Sequence, residues 1–180
     1  RGSMTRVKIC GLNDPEGFDA AVQAGADWVG FNFFPASPRY VTPAQAAALA
    51  ARAPHGPTRV GLFVAPTIAD IQAVLDVLSL DALQLYTDPA TALALGAHFA
   101  LPIWRPVGVT TGADLPQHAP GIAALLIESK PPPGATRPGG NATTIDWALL
   151  AGWAAPAPWL LAGGLTPANV AEAIRATAAP

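Results

Sequence analysis

Seven times along this chain a short, almost wholly apolar run is followed by a longer, mostly alanine-rich one. The short runs are RVKIC (6–10), DWVGFNF (27–33), TRVGLFV (58–64), DALQLY (81–86), LPIWRPV (101–107), AALLIE (123–128) and PWLLA (158–162). Each has strand length. Runs this apolar suit strands buried on both faces, which is the condition of a parallel sheet covered by helices. Helix starts fall between them. Asn13 or Asp14 precedes Pro15, with Gly25 as a stop; Thr42 precedes Pro43; Thr166 precedes Pro167. A capping residue followed by proline in the first turn is a helix start, and glycine just past the last turn is a helix end. PTIADIQAVLDVL and DPATALALGAHF fill two further slots, TGADLPQHA is the weakest helix and DWALLAG the shortest. Seven βα units in one unbroken stretch point to an α/β barrel or a doubly wound sheet.

Composition removes several classes of function. Hydrophobic residues make up 51% and charged ones 12% of the 180, so disorder is not expected. The net charge of -2 offers no basic footprint for nucleic acid. One cysteine excludes an internal disulfide framework and fits a reducing, cytoplasmic setting. Residues 147–171 carry no charged side chain, but Pro156, Pro158, Gly163, Gly164 and Pro167 break the stretch into helix, loop, strand and turn. A membrane-spanning helix is therefore not expected. Arg1–Ser3 reads as a vector-derived scar ahead of Met4.

Chemistry is expected where strands end, because the C-terminal strand ends of a barrel form its active face. Cys10 closes the first run and Gly11 turns the chain away. It reads either as a small buried hydrophobe or as a nucleophile or base. Glu128 ends the sixth run after five apolar residues. A carboxylate there either reaches solvent or is put to use, and partial burial suits a general acid. Arg39, in the loop PASPRYV, is a surface arginine or a guanidinium fork for a carboxylate or phosphate. Gly163 and Gly164, after the seventh run and before a capped helix, suggest a phosphate cradle of backbone N–H groups. Residues 130–147 form the longest loop, read as a lid or a surface insertion. His55, His98 and His118 show no metal-ligand spacing, and no metal is expected.

Taken together, VKICGL, GADWVGFNFFPASPRYV, LQLY, IDWALLAG and LLAGGLTPANVAEAI resemble phosphoribosylanthranilate isomerase, the (β/α)8-barrel enzyme family of tryptophan biosynthesis. The resemblance runs from Met4 to Pro180 and implies one barrel domain over 4–180. It implies an Amadori rearrangement of N-(5'-phosphoribosyl)anthranilate, a small phosphorylated substrate, without metal or cofactor, by a monomer or homodimer. It implies that Cys10 is the general base, that Glu128 stands where the family has its general acid, that Arg39 receives the anthranilate carboxylate, and that Gly163 and Gly164 help hold the phosphate. The chemistry agrees: ring opening needs a proton on the ring oxygen, and removal of the C2 proton completes the shuffle. An ordinary thiol titrates near about 8.5, so a base at this position calls for nearby positive charge. Lys8 points the same way as Cys10 on a strand of period two, though deeper.

Three departures stand out. The family usually has aspartate where this chain has Glu128, and the extra methylene moves the carboxyl by about 1.5 Å. It often has histidine where this chain has Tyr86. It continues into an eighth βα unit with a Ser-Gly-Val-Glu-type phosphate loop, which these 180 residues lack, so the barrel is expected to be C-terminally incomplete. Competing readings are another phosphate-binding barrel of the sugar-phosphate epimerase type, an indole-forming lyase, disfavoured because only Lys8 and Lys130 could supply its lysine acid, and a truncated barrel without activity.

Overall fold

The computed structural model describes residues 5–180; Arg1–Ser3, expected from the sequence to be a scar, and Met4 lie outside the described residues. It contains seven strands: β1 (Lys8–Cys10), β2 (Trp28–Asn32), β3 (Thr58–Val64), β4 (Ala82–Tyr86), β5 (Ile103–Val109), β6 (Ala124–Ser129) and β7 (Trp159–Leu161). Four α-helices connect the first five strands, α1 (Pro15–Gln23), α2 (Pro43–Ala50), α3 (Ile68–Leu75) and α4 (Pro89–Phe99), and α5 (Val170–Thr177) follows β7. All seven apolar runs are strands, to within two residues at their ends. The two weakest helix candidates are single 3-10 turns, Gly112–Asp114 and Trp147–Leu150. Pro116 follows the first closely and has no N–H to continue it. The last helix begins three residues after the Thr166–Pro167 start. Thr166 opens a turn instead, its N–H donating to Asn169 Oδ1 at 2.8 Å, and Asn169 becomes the cap residue.

The chain divides into two compact units, residues 6–103 and residues 104–180 with Thr5. In the first, β1 pairs with β2, β2 with β3 and β3 with β4, all parallel. In the second, β5 pairs with β6 and β6 with β7, again parallel. Strand order follows chain order in both units. A doubly wound sheet would reverse at a switch point; a barrel does not.

The first unit shows why the strands are apolar on both sides. Val29 and Phe31 of β2 are fully buried, and Phe18 of α1 stacks on Phe31 at 6.2 Å between ring centroids. Helix α1 is fixed by Asp14, which accepts from Gly17 N–H at 2.8 Å, and ends at Gly25 with φ of 75°. The opposite face of the sheet carries Lys8, Cys10, Gly30 and Gln84. Lys8 Nζ donates to Gln84 Oε1 at 3.0 Å. These residues lie on β1 and β4, three strand spacings apart, which is about 14 Å in a flat sheet. Side chains stand roughly perpendicular to a sheet. The hydrogen bond therefore requires the four strands to curl, with this face on the concave side.

At the opposite strand ends, Asp27 and Asp81 do a different task. Asp27 Oδ2 accepts from Val7 N–H and Asp81 Oδ2 from Arg59 N–H, each at 2.7 Å. Both satisfy a backbone donor at the start of the neighbouring strand. In the second unit the core is built on Leu125 and Ile127, both fully buried, with Val109, Ile145 and Leu150. Trp153 meets Trp159 edge-on at 5.6 Å, and its Nε1 donates to Pro116 O at 3.1 Å.

Helix α4 approaches the start of β5 so closely that only a glycine fits. A Cβ on Gly96 would lie 2.5 Å from Ile103 Cγ1 and 2.8 Å from its Cδ1, and Ile103 is itself buried. Helix propensity favours alanine by about 1 kcal/mol. Overpacking opposes it by about 1–3 kcal/mol. Gly96→Ala is expected to lower stability in urea unfolding, and a gain would show that Ile103 yields.

Candidate active site

The first group of site residues lies at the C-terminal ends of β1 and β2. Cys10 is the last residue of β1 and is half-buried. Its register partner is Gly30, and the absent side chain there makes the room. A Cβ on Gly30 would stand 2.9 Å from Cys10 Sγ and 3.1 Å from Lys8 Nζ. The sulfur and the ammonium are thus no more than about 6 Å apart, within the range where opposite charges attract appreciably. Lys8 was expected to sit deeper, as its place two residues back on the strand implies. Its length brings the ammonium back beside the thiol.

Gly11 turns the chain with φ of 78°, a backbone region that favours glycine. It also admits Arg39: a Cβ on Gly11 would meet Arg39 Cδ at 2.6 Å. The arginine stem lies across this glycine, and its Nη1 donates to Cys10 O at 3.3 Å. Arg39 is half-buried and tied to the strand end by β1's last carbonyl, so it is not a free surface arginine.

Sequence reasoning passed over what holds the Arg39 loop. Asn32, the last residue of β2, and Ser37 are both buried. Asn32 Nδ2 donates to Ser37 Oγ at 3.1 Å, and Asn32 Oδ1 accepts from Phe34 N–H at 2.9 Å. Ser37 Oγ also accepts from Arg39 N–H at 3.2 Å. Tyr40 and Val41 return alongside Asn32, with Val41 N–H donating to Asn32 O at 3.0 Å. A polar residue at the end of an apolar strand, followed by serine in a proline-rich loop, was the available signal.

The second group lies at the ends of β6 and β7, within the other unit. Glu128 is 6% exposed, one residue before the end of β6. Gly163, with φ of 85°, packs on it: a Cβ there would lie 3.5 Å from Glu128 Cβ. The same Cβ would come within 2.9 Å of Thr143 O, and one on Gly164 within 2.8 Å of Thr144 N. The two glycines therefore let the strap at Thr143 and Thr144 lie against β7's exit. They do not stand at a helix N-terminus, as expected from the sequence, because α5 begins only at Val170.

The long loop after β6 is irregular from 130 to 146, and it starts from a fixed point. Lys130 Nζ donates to Asp114 Oδ1 at 2.5 Å, while Asp114 Oδ2 accepts from Thr110 and Thr111 N–H at 2.8 Å each. The tie begins two residues after Glu128. Among the described residues no group of three or more His, Cys, Asp or Glu could hold a metal ion, and no helix is long and apolar enough to cross a membrane.

In each unit parallel strands run in chain order, which is the arrangement of a (β/α)-barrel, a fold whose enzymes work at the C-terminal strand ends. The model of the family N-(5'-phosphoribosyl)anthranilate (PRA) isomerase matches residues 7–180, and the chain belongs to that family. It is 57% identical over 178 residues to N-(5'-phosphoribosyl)anthranilate isomerase of Acidiphilium cryptum, covering 98% of this chain and 85% of that protein. Among solved structures it is similar to the monomers generated from dimeric phosphoribosylanthranilate isomerase of Thermotoga maritima. That match has a TM-score of 0.77 and 32% identity over 98% of this chain and 84% of that one. A phosphoribosyl anthranilate isomerase in complex with reduced 1-(o-carboxyphenylamino)-1-deoxyribulose 5-phosphate matches with a TM-score of 0.78 and 30% identity, over 98% and 84% of the two chains. The fold is thus the family's barrel, present here as seven strands.

The Asp114 tie is testable through its titration. The Lys130 hydrogen bond first, then the Thr111 and Thr110 N–H groups, hold the Asp114 carboxyl well below the usual carboxylate range. Its stabilising contribution is present above the ordinary carboxylate value and is lost only as pH falls through the depressed one. The tie should be intact near about pH 4, where a free carboxylate is half protonated. Lys130→Met should move the Asp114 titration, followed by carboxyl carbon NMR, toward the ordinary range. An unmoved titration would place the depression on the backbone donors alone.

Proposed function

We propose that this chain isomerises N-(5'-phosphoribosyl)anthranilate to 1-(2-carboxyphenylamino)-1-deoxyribulose 5-phosphate, with Glu128 as general acid and Cys10 as general base. The observation that carries the reading is the family match over residues 7–180, which includes every residue given a role here. Glu128 gives a proton to the ribose ring oxygen. The C1–O bond breaks and the nitrogen lone pair forms an iminium at C1. The iminium acidifies the proton on C2, and Cys10 removes it as thiolate. The resulting enolamine takes a proton at C1 and loses the one on its C2 hydroxyl, giving the ketone at C2; these two transfers return to the enzyme the proton that Glu128 gave and release the one that Cys10 took. Substrate and product are isomers, so no oxidant, reductant or co-reactant is consumed.

Arg39 receives the anthranilate carboxylate. Its guanidinium is led to the end of β1 by Gly11 and held there by the Cys10 carbonyl, which leaves its other N–H groups for a ligand. Gly163 and Gly164 hold the phosphate together with the strap at Thr143 and Thr144 that packs on them. The place of Glu128, buried near the end of β6, supports the acid role. Residues 4–180 act as one catalytic domain, as a monomer or a homodimer, in the cytoplasm, on a small phosphorylated substrate.

Turnover is followed by the loss of substrate fluorescence. Cys10→Ala should lower kcat by several orders of magnitude with the fold intact. A variant within about tenfold of the parent, about 1.4 kcal/mol, would remove Cys10 from the mechanism. Arg39→Ala should mainly raise KM if the carboxylate contact is equal in ground and transition states; an unchanged KM would leave Arg39 without a substrate role.

A further inference from the structure

One charged side chain at the strand ends has no part in the acid–base scheme. Lys8 lies on the same face as Cys10 and is half-buried within the sheet. A lysine in such a place costs free energy unless its ammonium is hydrogen-bonded. Gln84, 2% exposed, supplies an acceptor at 3.0 Å. That acceptor is a neutral amide, so it positions the ammonium without cancelling its charge. Gly30 removes the side chain that would otherwise separate Nζ from Sγ, both of which lie within 3.1 Å of its missing Cβ. Two cations are placed against Cys10: Lys8 on its own strand and Arg39 from the loop after β2. The β2 residues facing it, Trp28, Gly30 and Asn32, carry no charge.

We propose that Lys8 is a positioning residue of the reaction, its ammonium held by Gln84 over Gly30 as the standing counter-charge to the Cys10 thiolate. The inference rests on the reading of Cys10 as the base. Arg39 is committed to the substrate carboxylate, and its charge is spent when substrate binds. Lys8 keeps a positive charge beside the sulfur in both free and loaded enzyme. The separation of no more than about 6 Å is short enough for that attraction to act directly on the sulfur.

The test reads the thiol directly, without substrate. Cys10 is the only cysteine, so its alkylation at neutral pH by iodoacetamide and by iodoacetate is unambiguous. Neutral iodoacetamide reports thiolate population; anionic iodoacetate also reports local positive charge. Lys8→Met should slow alkylation by iodoacetamide between about tenfold and a hundredfold, lower the iodoacetate-to-iodoacetamide rate ratio, and reduce kcat in step. Lys8→Arg should restore most of all three. Gln84→Glu is nearly isosteric and sets a carboxylate against the ammonium; it should slow alkylation with Lys8 still in place, and it serves if Lys8→Met does not fold. Alkylation at the parent rate in Lys8→Met, or in Gln84→Glu where Lys8→Met is unfolded, would overturn the proposal. The parent reading fails separately, if Cys10→Ala retains turnover.

Discussion

Two-sided burial of parallel strands is the constraint from which the rest follows. A parallel strand must be followed by a crossover, and the crossover helix covers one face. In the first unit α1 covers β2 through Phe18 on Phe31. The other face has no helix to cover it, so the sheet curls until its side chains meet one another. The Lys8–Gln84 hydrogen bond across three strand spacings is the direct sign of that curl. Curling brings polar groups from separate strands within reach of one another on the concave face.

Close approach at those ends depends on residues without side chains. Gly30 leaves space for the thiol and the ammonium, Gly11 for the arginine stem, and Gly163 and Gly164 for the strap at Thr143 and Thr144. At three of these positions the backbone also has positive φ. An alanine there would meet both steric overlap and backbone strain. The glycines matter by what they admit, and the residues they admit include Cys10 and Arg39, to which the proposed reaction gives roles.

The two chemical groups meet different demands. Glu128 is buried near the end of β6. Cys10 is half-buried at the end of β1, with Lys8 Nζ and the Arg39 guanidinium drawn to the same place. The proposed reaction gives one substrate proton and takes another, so it calls for an acid and a base in different surroundings.

Much of this was legible in the sequence because local patterns carry it. Seven strands followed from continuous apolar runs, and the helix starts at Asn13 or Asp14 and at Thr42 from capping chemistry that acts over three residues, with Asp14 the residue that caps; the start read at Thr166 falls at Asn169 instead. The short turns at 112–114 and 147–150 read too strongly as helices, since propensity says little over one turn. Cys10, Glu128 and Arg39 were visible as polar residues at or just after the ends of apolar runs. Only the tertiary structure put Lys8 beside Cys10, buried Asn32 and Ser37 behind Arg39, tied Lys130 to Asp114, and laid Thr143 and Thr144 on the glycine pair. The physical reason is range. Periodicity and caps act between neighbours along the chain, whereas these contacts join residues whose distance is set by how tightly a sheet curls and by which strand carries a glycine opposite them.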